Sequence, residues 1–402
     1  MNARAALRGS LSAAVLLAAC VGPLLNACST PPAPEPVSVP APSAPAPVEE
    51  PSPAAALPPL PTTGLLARED VRAWVDATAA QLVVPREEIA RIVADARVVP
   101  EIQRLILPMP TPAKPRTWKG YRARFLDPVR INGGLAFWTA HADALERAQQ
   151  RYGVPPEIVV AIAGVETVYG RLQGNYRVID ALATLGFAWP AEAPRDRSAY
   201  FRGELAQFIA LSWERDLDPL QVRGSYAGAI GIAQFMPGSI RQFAVDFDDD
   251  TRIDLHDDPV DAIGSIANFL AMHGWRAELP VALHARVPDQ GYEGFIAHDL
   301  VPRYSTEELA AAGIGCAGDD GIARGQPAAS APEDAAPKFG LVDLESPDLP
   351  TEYRCATGNF FAITQYNRSF FYAAAVMDLA ATLRQARTQG VPQKKPRKRR
   401  RA

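Results

Sequence analysis

The sequence predicts a mainly α-helical protein with a small β part. Apolar residues recur at helical spacing through most of the stretch Arg68–His273, which Pro-rich and Gly-rich segments interrupt. After Gly274 the pattern changes, and Leu279–Val287 alternates apolar and polar residues as a half-buried strand does. A second strand is predicted at Phe360–Thr364, and a long helix over Ser369–Ala386 closes the fold.

The helices before that change are bounded by segments that disfavour a helix. The interruptions fall at Pro108–Pro115, Gly186–Pro194 and Gly224–Gly238. Pro155-Pro156 opens one helix, because proline suits a first helical turn. The predicted helices are, in chain order, Arg68–Val99, Tyr121–Tyr152, Pro156–Arg171, Tyr200–Glu214 and Asp258–His273.

The start of the chain predicts export. A basic beginning precedes the apolar segment Leu11–Ala19, which is too short for a permanent membrane-spanning helix. Leu17-Ala-Ala-Cys20 resembles the lipobox of bacterial lipoproteins, in which the cysteine becomes the lipidated N-terminus, and Leu25-Asn-Ala-Cys28 is a second candidate. The polar Ser-Thr that follows favours Cys28 and is compatible with sorting to the outer membrane. An ordinary cleaved signal peptide is the alternative.

Three further segments have a biased composition. Pro31–Thr63 is rich in Pro and Ala and cannot bury enough apolar surface to fold, so it is interpreted as a spacer. Residues 317–339 are rich in Gly, Ala, Pro and Asp, which predicts a disordered insertion. Lys394–Arg401 is a basic run, interpreted as a solvated tail. The formal net charge of −4 gives no general attraction to nucleic acid, and a monomer is expected.

Four cysteines are too few for a disulfide-dense miniprotein or a Cys-rich zinc module. Export places the chain in an oxidising compartment, so Cys316 and Cys355 remain as one pair for a disulfide. The bond would close a loop of about 40 residues and contribute up to ~3–4 kcal/mol by the chain-entropy model. The alternative is two thiols too far apart to bond.

Glu166 lies at the margin of an apolar helix face in the segment Pro156–Arg171. A carboxyl group in that position loses hydration, which raises its pKa and suits a general acid near neutral pH. Taken alone, the pattern favours a structural ion-pair partner. The apolar face consists of Ile158, Ile162, Val165 and Tyr169.

The segment Gly224–Pro237 combines glycine freedom with Ser, Gln, Tyr and Phe side chains. Rings that stack on a sugar and polar groups that hold its hydroxyl and acetamido groups are what a carbohydrate site needs. Standing alone, the segment would be interpreted as a Gly-rich loop for helix packing.

Several motifs follow one another in a specific order. They are Gly164–Arg171, Ala181–Phe187, Ser225–Ala229 with Gln234–Pro237, Asp261–Ser265 and Ile363–Ser369. Together they resemble the membrane-bound lytic murein transglycosylase B family, and several motifs in register are more specific than any one of them. The resemblance covers roughly Arg68 to Arg387.

The resemblance implies a lysozyme-like helical core with an additional helical domain and a small β domain. The predicted divisions are a signal peptide with lipobox at 1–28, a Pro-rich linker at 29–63, an N-terminal helical domain at 64–130, a catalytic core at 131–275, a small β domain at 276–362, a C-terminal helix at 363–390 and a basic tail at 391–402.

The resemblance also implies one catalytic carboxyl group, which matches Glu166. In the family this group protonates the oxygen between N-acetylmuramic acid and N-acetylglucosamine in peptidoglycan glycan strands. Its carboxylate then takes the proton of the muramoyl C6 hydroxyl, which closes onto C1 and leaves a 1,6-anhydromuramoyl end. By motif position the substrate-holding residues are Ser225, Gln234, Tyr366, Asn367 and Tyr372, with Tyr121 and Phe269 as further candidates.

An acidic loop that starts at Asp246 predicts a structural calcium site. Carboxylates stand at positions 1, 3, 5, 9 and 12 of the loop, and such oxygen ligands suit Ca²⁺. Thr251 occupies the place of the usual glycine, and Asp257 replaces the usual glutamate, so the resemblance moves the last ligand to Asp261. The predicted ligands are Asp246, Asp248, Asp250, the backbone carbonyl of Arg252, and Asp261. The alternative is an acidic solvated turn.

Two other functions remain open from the sequence. A hydrolytic muramidase would need a second carboxylate or a held water opposite Glu166, and Glu204 and Asp180 are the candidates. A non-catalytic peptidoglycan-binding lipoprotein of the envelope is the other. In each case the expected location is the periplasm, with a lipid anchor in the outer membrane.

Overall fold

The computed structural model describes residues 58–108, 117–322, 324 and 336–389. The two lipobox cysteines Cys20 and Cys28, almost all of the linker and the basic tail lie outside these residues. The chain divides between Pro58 and Pro59, and the description below concerns the unit that begins at Pro59. Within the described part, no helix is both long enough and apolar enough to cross a membrane.

The N-terminal helices pack against a helix from later in the chain, Val178–Phe187. The predicted helix Arg68–Val99 is in fact α1 (Glu69–Ala79) and α2 (Arg86–Asp95), because Pro85 stands where a continuous helix would need a backbone N–H. α3 (Pro100–Ile106) follows. The N–H of Arg97 donates to the buried carboxylate of Asp180 at 2.9 Å, which ties this layer to the core.

The predicted helix Tyr121–Tyr152 is three helices, α4 (Trp118–Ala123), α5 (Pro128–Ala140) and α6 (Ala142–Tyr152). Asp127 starts α5, since its carboxylate accepts the N–H groups of the second and third helical residues, and proline occupies the first helical position. α6 ends at Gly153, whose φ of 72° a residue with a side chain rarely adopts.

The central helix is α7 (Pro156–Thr167), which packs against α5, α6 and two helices from later in the chain. Every residue of α7 is buried except Pro156 and Glu166. A helix that is buried on nearly all sides belongs in the middle of a core, so the half-buried acidic residue Glu166 stands out against it.

A second group of elements follows α7 in the chain, and the last helix of the group packs against α7. The group contains α8 (Val178–Phe187), α9 (Ser198–Glu214), α10 (Pro237–Phe243) and α11 (Pro259–Met272). The two-residue strands β1 (Tyr176–Arg177) and β2 (Arg223–Gly224) pair antiparallel with Tyr176 opposite Gly224. This pair brings the end of α7 and the start of the Gly-rich segment together.

The β part is an antiparallel sheet of four strands in the order β4-β3-β6-β5, which are β3 (Ala282–Arg286), β4 (Gly315–Ala317), β5 (Gly340–Leu344) and β6 (Glu352–Ala356). Its apolar cluster includes Leu309, Ile314 and Leu341. Cys316 and Cys355, the pair predicted from the sequence, form a disulfide with a Cα–Cα distance of 5.9 Å. One helix, α12 (Thr306–Ala311), lies between β3 and β4 in the chain.

Two predictions for this region are corrected. The predicted strand Phe360–Thr364 is the helix α13 (Gly358–Thr364), whose start is capped by the Thr357 hydroxyl. A short run that is buried on all sides has no period that distinguishes strand from helix. In the predicted insertion 317–339, Ala317 belongs to β4 and Ile322 is buried, while residue 323 and residues 325–335 lie outside the described residues.

The last described element is α14 (Phe370–Gln389), which packs along α7 and α5. The predicted helix Ser369–Ala386 is therefore confirmed, three residues longer at its C-terminal end. The predicted fold class, mainly α-helical with a small antiparallel β part, is also confirmed.

Candidate active site

Glu166 lies in the last turn of α7 and faces the first turn of α14. Tyr372 Oη donates a hydrogen bond to Glu166 Oε1 at 2.5 Å. Burial raises the pKa of Glu166 to about 7, although the bond from Tyr372, which favours the carboxylate, opposes that shift. The carboxyl group is therefore divided between its acid and its carboxylate forms near neutral pH.

The turn after Glu166 has an uncommon backbone. Val168, Tyr169 and Gly170 all have left-handed φ values, of 51°, 62° and 83°. Valine in this region costs about 1–3 kcal/mol, so the surrounding structure must hold it. Gly170 has no such cost, because glycine adopts this region freely.

Tyr169 is what holds that turn. Its Oη donates to the carbonyl of Arg130 at 2.7 Å, and its ring packs against Phe137. A Cβ placed on Gly134 of α5 or on Gly164 of α7 would lie 2.5 Å from the Tyr169 hydroxyl oxygen. The glycines in the two helices therefore make the space that the ring fills.

Thr167 connects the end of α7 to the Gly-rich segment. Its hydroxyl is buried, donates to the carbonyl of Ile232 at 2.9 Å and accepts the N–H of Gly170 at 2.9 Å. Because Thr167 is adjacent to Glu166, this bond sets the distance between the carboxyl group and the segment that the sequence predicts to hold sugar.

Ser225 begins a tight loop in that segment. Its N–H donates to the carbonyl of Ala229 at 2.8 Å, and its Oγ accepts the N–H of Ala229 at 3.0 Å. Gly231 has a φ of 77°, and a Cβ there would lie 2.2 Å from the carbonyl oxygen of Leu255, so this position requires glycine. The side chain of Tyr226 is 40% exposed beside Ser225.

Gln234 has a left-handed backbone, with φ of 49°, and an anchored side chain. Its Nε2 donates to the carbonyl of Gln173 at 3.1 Å and to the carbonyl of Gly231 at 3.0 Å. Both amide hydrogens are thereby used within the protein. The sequence gives no indication of a role for Gln173, which follows the motif Gly164–Arg171 without any distinguishing pattern.

Tyr366 comes close to Glu166 from the segment between α13 and α14. Its hydroxyl oxygen is buried and has no hydrogen-bond partner among the described residues. Burial, with a smaller contribution from the charge of Glu166, raises the pKa of Tyr366 well above its usual value. A buried hydroxyl without a partner is costly, which suits a group that bonds to a ligand. The neighbouring Asn367 is exposed.

The remaining two candidates differ from each other. Tyr121 packs against Phe125 and Phe371, and its proximity contributes to raising the pKa of Tyr372, so it belongs to the wall of the site. Phe269 is only 5% exposed and is surrounded by other rings, one of which is Tyr366 with a centroid distance of 4.5 Å. The prediction that Phe269 stacks on a sugar is therefore corrected, because the ring has no open face and instead supports Tyr366.

The two carboxylates considered as partners for Glu166 have structural contacts. Asp180 accepts the N–H of Arg97, and Glu204 accepts the N–H of Gly238 at 2.9 Å at the start of α10. Tyr372 is the one side chain of the described residues that hydrogen bonds to Glu166. The geometry thus places a donor beside Glu166, and neither Asp180 nor Glu204 contributes to the pKa of Glu166.

The acidic loop brings some of its predicted ligands together. One carboxylate oxygen each from Asp246, Asp248 and Asp261 lie within 4.8 Å of one another, a set of hard oxygen donors that fits a calcium ion. Asp261 is buried, and burial raises its pKa. Asp250 lies beside the group, and its Oδ1 accepts the N–H of Arg252. Thr251, at the usual glycine position, adopts a φ of 75° nevertheless.

Known proteins match this chain over most of its length. The model of the transglycosylase SLT domain family matches residues 67–381. The membrane-bound lytic murein transglycosylase B of Escherichia coli (strain K12) is 38% identical over 313 residues, which are 76% of this chain and 80% of the relative.

Solved structures agree with these matches. The soluble lytic transglycosylase SltB1 from Pseudomonas aeruginosa has a TM-score of 0.69 at 38% identity, over 79% of this chain and 99% of that one. The Escherichia coli lytic transglycosylase Slt35, in complex with calcium, has a TM-score of 0.67 at 36% identity, over 81% and 96% of the two chains. The prediction of a lysozyme-like core is confirmed by these neighbours. The chain therefore belongs to the transglycosylase SLT domain family and is an enzyme of the lytic transglycosylase type.

Proposed function

We propose that this enzyme cleaves the bond between N-acetylmuramic acid and N-acetylglucosamine in peptidoglycan and leaves 1,6-anhydromuramoyl ends, with Glu166 as its acid and base. The observation that carries this proposal is the Glu166 carboxyl group, whose pKa burial raises to about 7 and to which the Tyr372 hydroxyl donates a hydrogen bond. The name of the Escherichia coli relative specifies murein, which supports peptidoglycan as the substrate.

The reaction needs two proton transfers through one group. Protonated Glu166 donates its proton to the glycosidic oxygen, the C1–O bond breaks with its electron pair on that oxygen, and positive charge develops at muramoyl C1. The Glu166 carboxylate then removes the proton of the C6 hydroxyl, and O6 forms a bond to C1. Glu166 ends protonated, as it began, and no water is consumed.

Tyr372 and the burial of Glu166 act in opposite directions in this cycle. Burial keeps the proton on Glu166 before the bond breaks, and the Tyr372 hydroxyl stabilises the carboxylate that exists after the first transfer. We propose that Ser225, Gln234, Tyr366 and Asn367 hold the glycan beside this pair, with Tyr121 in the wall. The unpartnered hydroxyl of Tyr366 is the group among them most clearly in need of a ligand.

Product analysis tests the reaction type. Purified peptidoglycan digested by the enzyme should yield muropeptides whose muramoyl ends are 18 Da lighter than hydrolysis products, about the mass of one water, as measured by mass spectrometry. Digestion in H₂¹⁸O should leave these ends unlabelled. Reducing muramic acid ends that carry ¹⁸O would instead establish the hydrolytic muramidase.

We propose that the acidic loop binds a structural Ca²⁺ through Asp246, Asp248, Asp250, the Arg252 carbonyl and Asp261. Calcium added after chelation should stabilise the fold by about 2–3 kcal/mol at a hundredfold excess over Kd, read as a rise in Tm. Asp261→Asn should abolish the rise, because the carboxylate is buried within the group. Asp249→Asn, on an adjacent residue outside the group, should retain it. A wild-type Tm that calcium does not change would contradict the site.

We also propose that segment 1–28 exports the chain, that residues 29–63 form a spacer, and that Cys28 carries the lipid that attaches the enzyme to the outer membrane from the periplasm. Cys28→Ser should move the protein from the membrane fraction to the soluble fraction and abolish labelling with palmitate. Cys20→Ser should change neither. The reverse result would assign the lipid to Cys20, and membrane attachment of the double variant Cys20→Ser/Cys28→Ser would reject the anchor.

A further inference from the structure

Gln173 contacts three parts of the site at once. Its side-chain Nε2 donates to the carbonyl of His256 at 2.9 Å and to the carbonyl of Gly170 at 3.1 Å. Its own backbone carbonyl accepts a hydrogen from Gln234 Nε2 at 3.1 Å. The residue therefore joins the turn after α7, the acidic loop and the Gly-rich segment.

The anchoring of Gln234 determines what its side chain can offer a ligand. Both groups that face its amide are backbone carbonyl oxygens, of Gln173 and Gly231, so the nitrogen must point toward them. The oxygen Oε1 is left facing away, and no donor among the described residues reaches it. Gln234 can thus accept a hydrogen bond from a ligand, such as one from an acetamido N–H or a hydroxyl, but has no hydrogen left to donate.

The other end of this arrangement is fixed in the acidic loop. The N–H of His256 donates to Asp254 Oδ1 at 2.8 Å, and the N–H of Asp254 donates to Asp261 Oδ2 at 2.7 Å. Asp261 is buried in the acidic group described above. The carbonyl of His256, which accepts the hydrogen bond from Gln173, therefore belongs to a segment that is itself fixed by hydrogen bonds.

A separate connection leads from the same loop to Glu166 and does not use Gln173. The N–H of Ile232 donates to the carbonyl of Leu255 at 2.7 Å, and the carbonyl of Ile232 accepts from Thr167. The connection through Thr167 affects the position of the Glu166 carboxyl group, and the connection through Gln173 affects the side-chain amide of Gln234. The two can be distinguished, because one should change catalysis and the other binding.

We propose that Gln173 is a positioning residue that orients the Gln234 side chain, so that Gln234 Oε1 accepts a hydrogen bond from the N-acetyl N–H or a hydroxyl of the glycan. This inference rests on the proposed function for its substrate class. Gln173 itself does not touch the glycan. The Gln173 Oε1 atom is buried and has no hydrogen-bond partner among the described residues, a cost that the two hydrogen bonds from Nε2 help to offset.

The test measures sugar binding in a Glu166→Gln background, so it does not depend on cleavage. The probe is the tetrasaccharide of N-acetylglucosamine, titrated by calorimetry. Gln173→Met keeps the length of the side chain but has no donor, and should weaken binding about 5-fold, in the range of one lost hydrogen bond. Gln103→Met is the matched control, because Gln103 donates one similar bond to the carbonyl of Ala188 away from the site.

The result is interpreted through the Gln234→Ala variant. The double variant Gln173→Met/Gln234→Ala should bind no more weakly than Gln234→Ala alone, because a positioning residue has no effect once the group that it positions is gone. Gln173→Glu, which sets an acceptor against two carbonyl oxygens, should weaken binding at least as much as Gln173→Met. The control should stay within twofold of the parent.

Two outcomes would overturn the proposal. One is that Gln173→Met and Gln173→Glu bind the tetrasaccharide as the Gln103 control does. The other is that the effects at Gln173 and Gln234 multiply, which would mean that the two residues act independently. Product analysis of the unmodified enzyme is a separate readout, so a failed reaction assignment and a failed positioning role would be told apart.

Discussion

Replacing Glu166 with glutamine is expected to lower the rate of peptidoglycan cleavage by at least about 10³-fold, with substrate binding largely retained. The amide fills the same space, but it can neither donate a proton to the glycosidic oxygen nor remove one from the C6 hydroxyl. General acid or base catalysis contributes about 10²–10⁴-fold, and here one group supplies both transfers. The rate is measured by release of soluble muropeptides from purified sacculi.

The stability of the Glu166→Gln variant is a control that separates a loss of catalysis from a loss of folding. The pKa of Glu166 is raised from 4.5 to about 7, so the folded protein holds this proton more tightly than the unfolded chain does. Its contribution to stability is complete below pH 4.5 and is lost as the pH rises toward about 7. Glutamine does not ionise, so Glu166→Gln should be at least as stable as the parent at pH 8. A variant that digests sacculi at the parental rate would remove Glu166 from the mechanism.

The position of Glu166 was open to prediction because several signals coincide in the sequence. The residue interrupts an apolar helix, and the surrounding motif belongs to an ordered series of motifs. The structure adds what a pattern does not contain, namely that Tyr372, 206 residues later, donates to its carboxyl group. That contact depends on α14 packing along α7, which is a tertiary fact.

The errors also have physical causes. Phe360–Thr364 is buried throughout and is apolar up to Thr364, so it has no two-residue alternation or helical stripe to separate strand from helix. Phe269 was placed at the sugar by its position in a motif, but its ring lies among other rings and supports Tyr366. Burial of one aromatic residue beneath another is not visible from sequence spacing.

Glycines within helices are a further signal in the sequence, and the packing of Tyr169 illustrates it. Glycines at 133, 134 and 164 stand inside helices, where each costs up to ~1 kcal/mol relative to alanine. Such glycines predict that something packs closely against the helix. The structure identifies the Tyr169 ring as the occupant. The sequence could have indicated a close contact there, but not which side chain makes it.

Replacing Tyr372 with phenylalanine is expected to reduce the rate about 10–100-fold and to shift the pH profile upward. The hydrogen bond from Tyr372 lowers the pKa of Glu166 against the larger effect of burial, so its loss allows the pKa to rise above about 7. Activity requires protonated Glu166 at the start, so it falls as the pH rises through that pKa. In Tyr372→Phe this fall should occur at higher pH than in the parent.

The lower rate and the upward shift have the same origin. The carboxylate formed after the first proton transfer loses the hydroxyl that stabilises it, which makes Glu166 both harder to ionise and a poorer proton donor. Tyr292→Phe is a suitable control, because the Tyr292 hydroxyl hydrogen bonds to Tyr353 in the four-stranded sheet and its removal leaves the site unchanged. A Tyr372→Phe profile that fell at lower pH would show that the hydroxyl favours the protonated acid, and a slower rate with no shift would make Tyr372 a contact for the glycan alone.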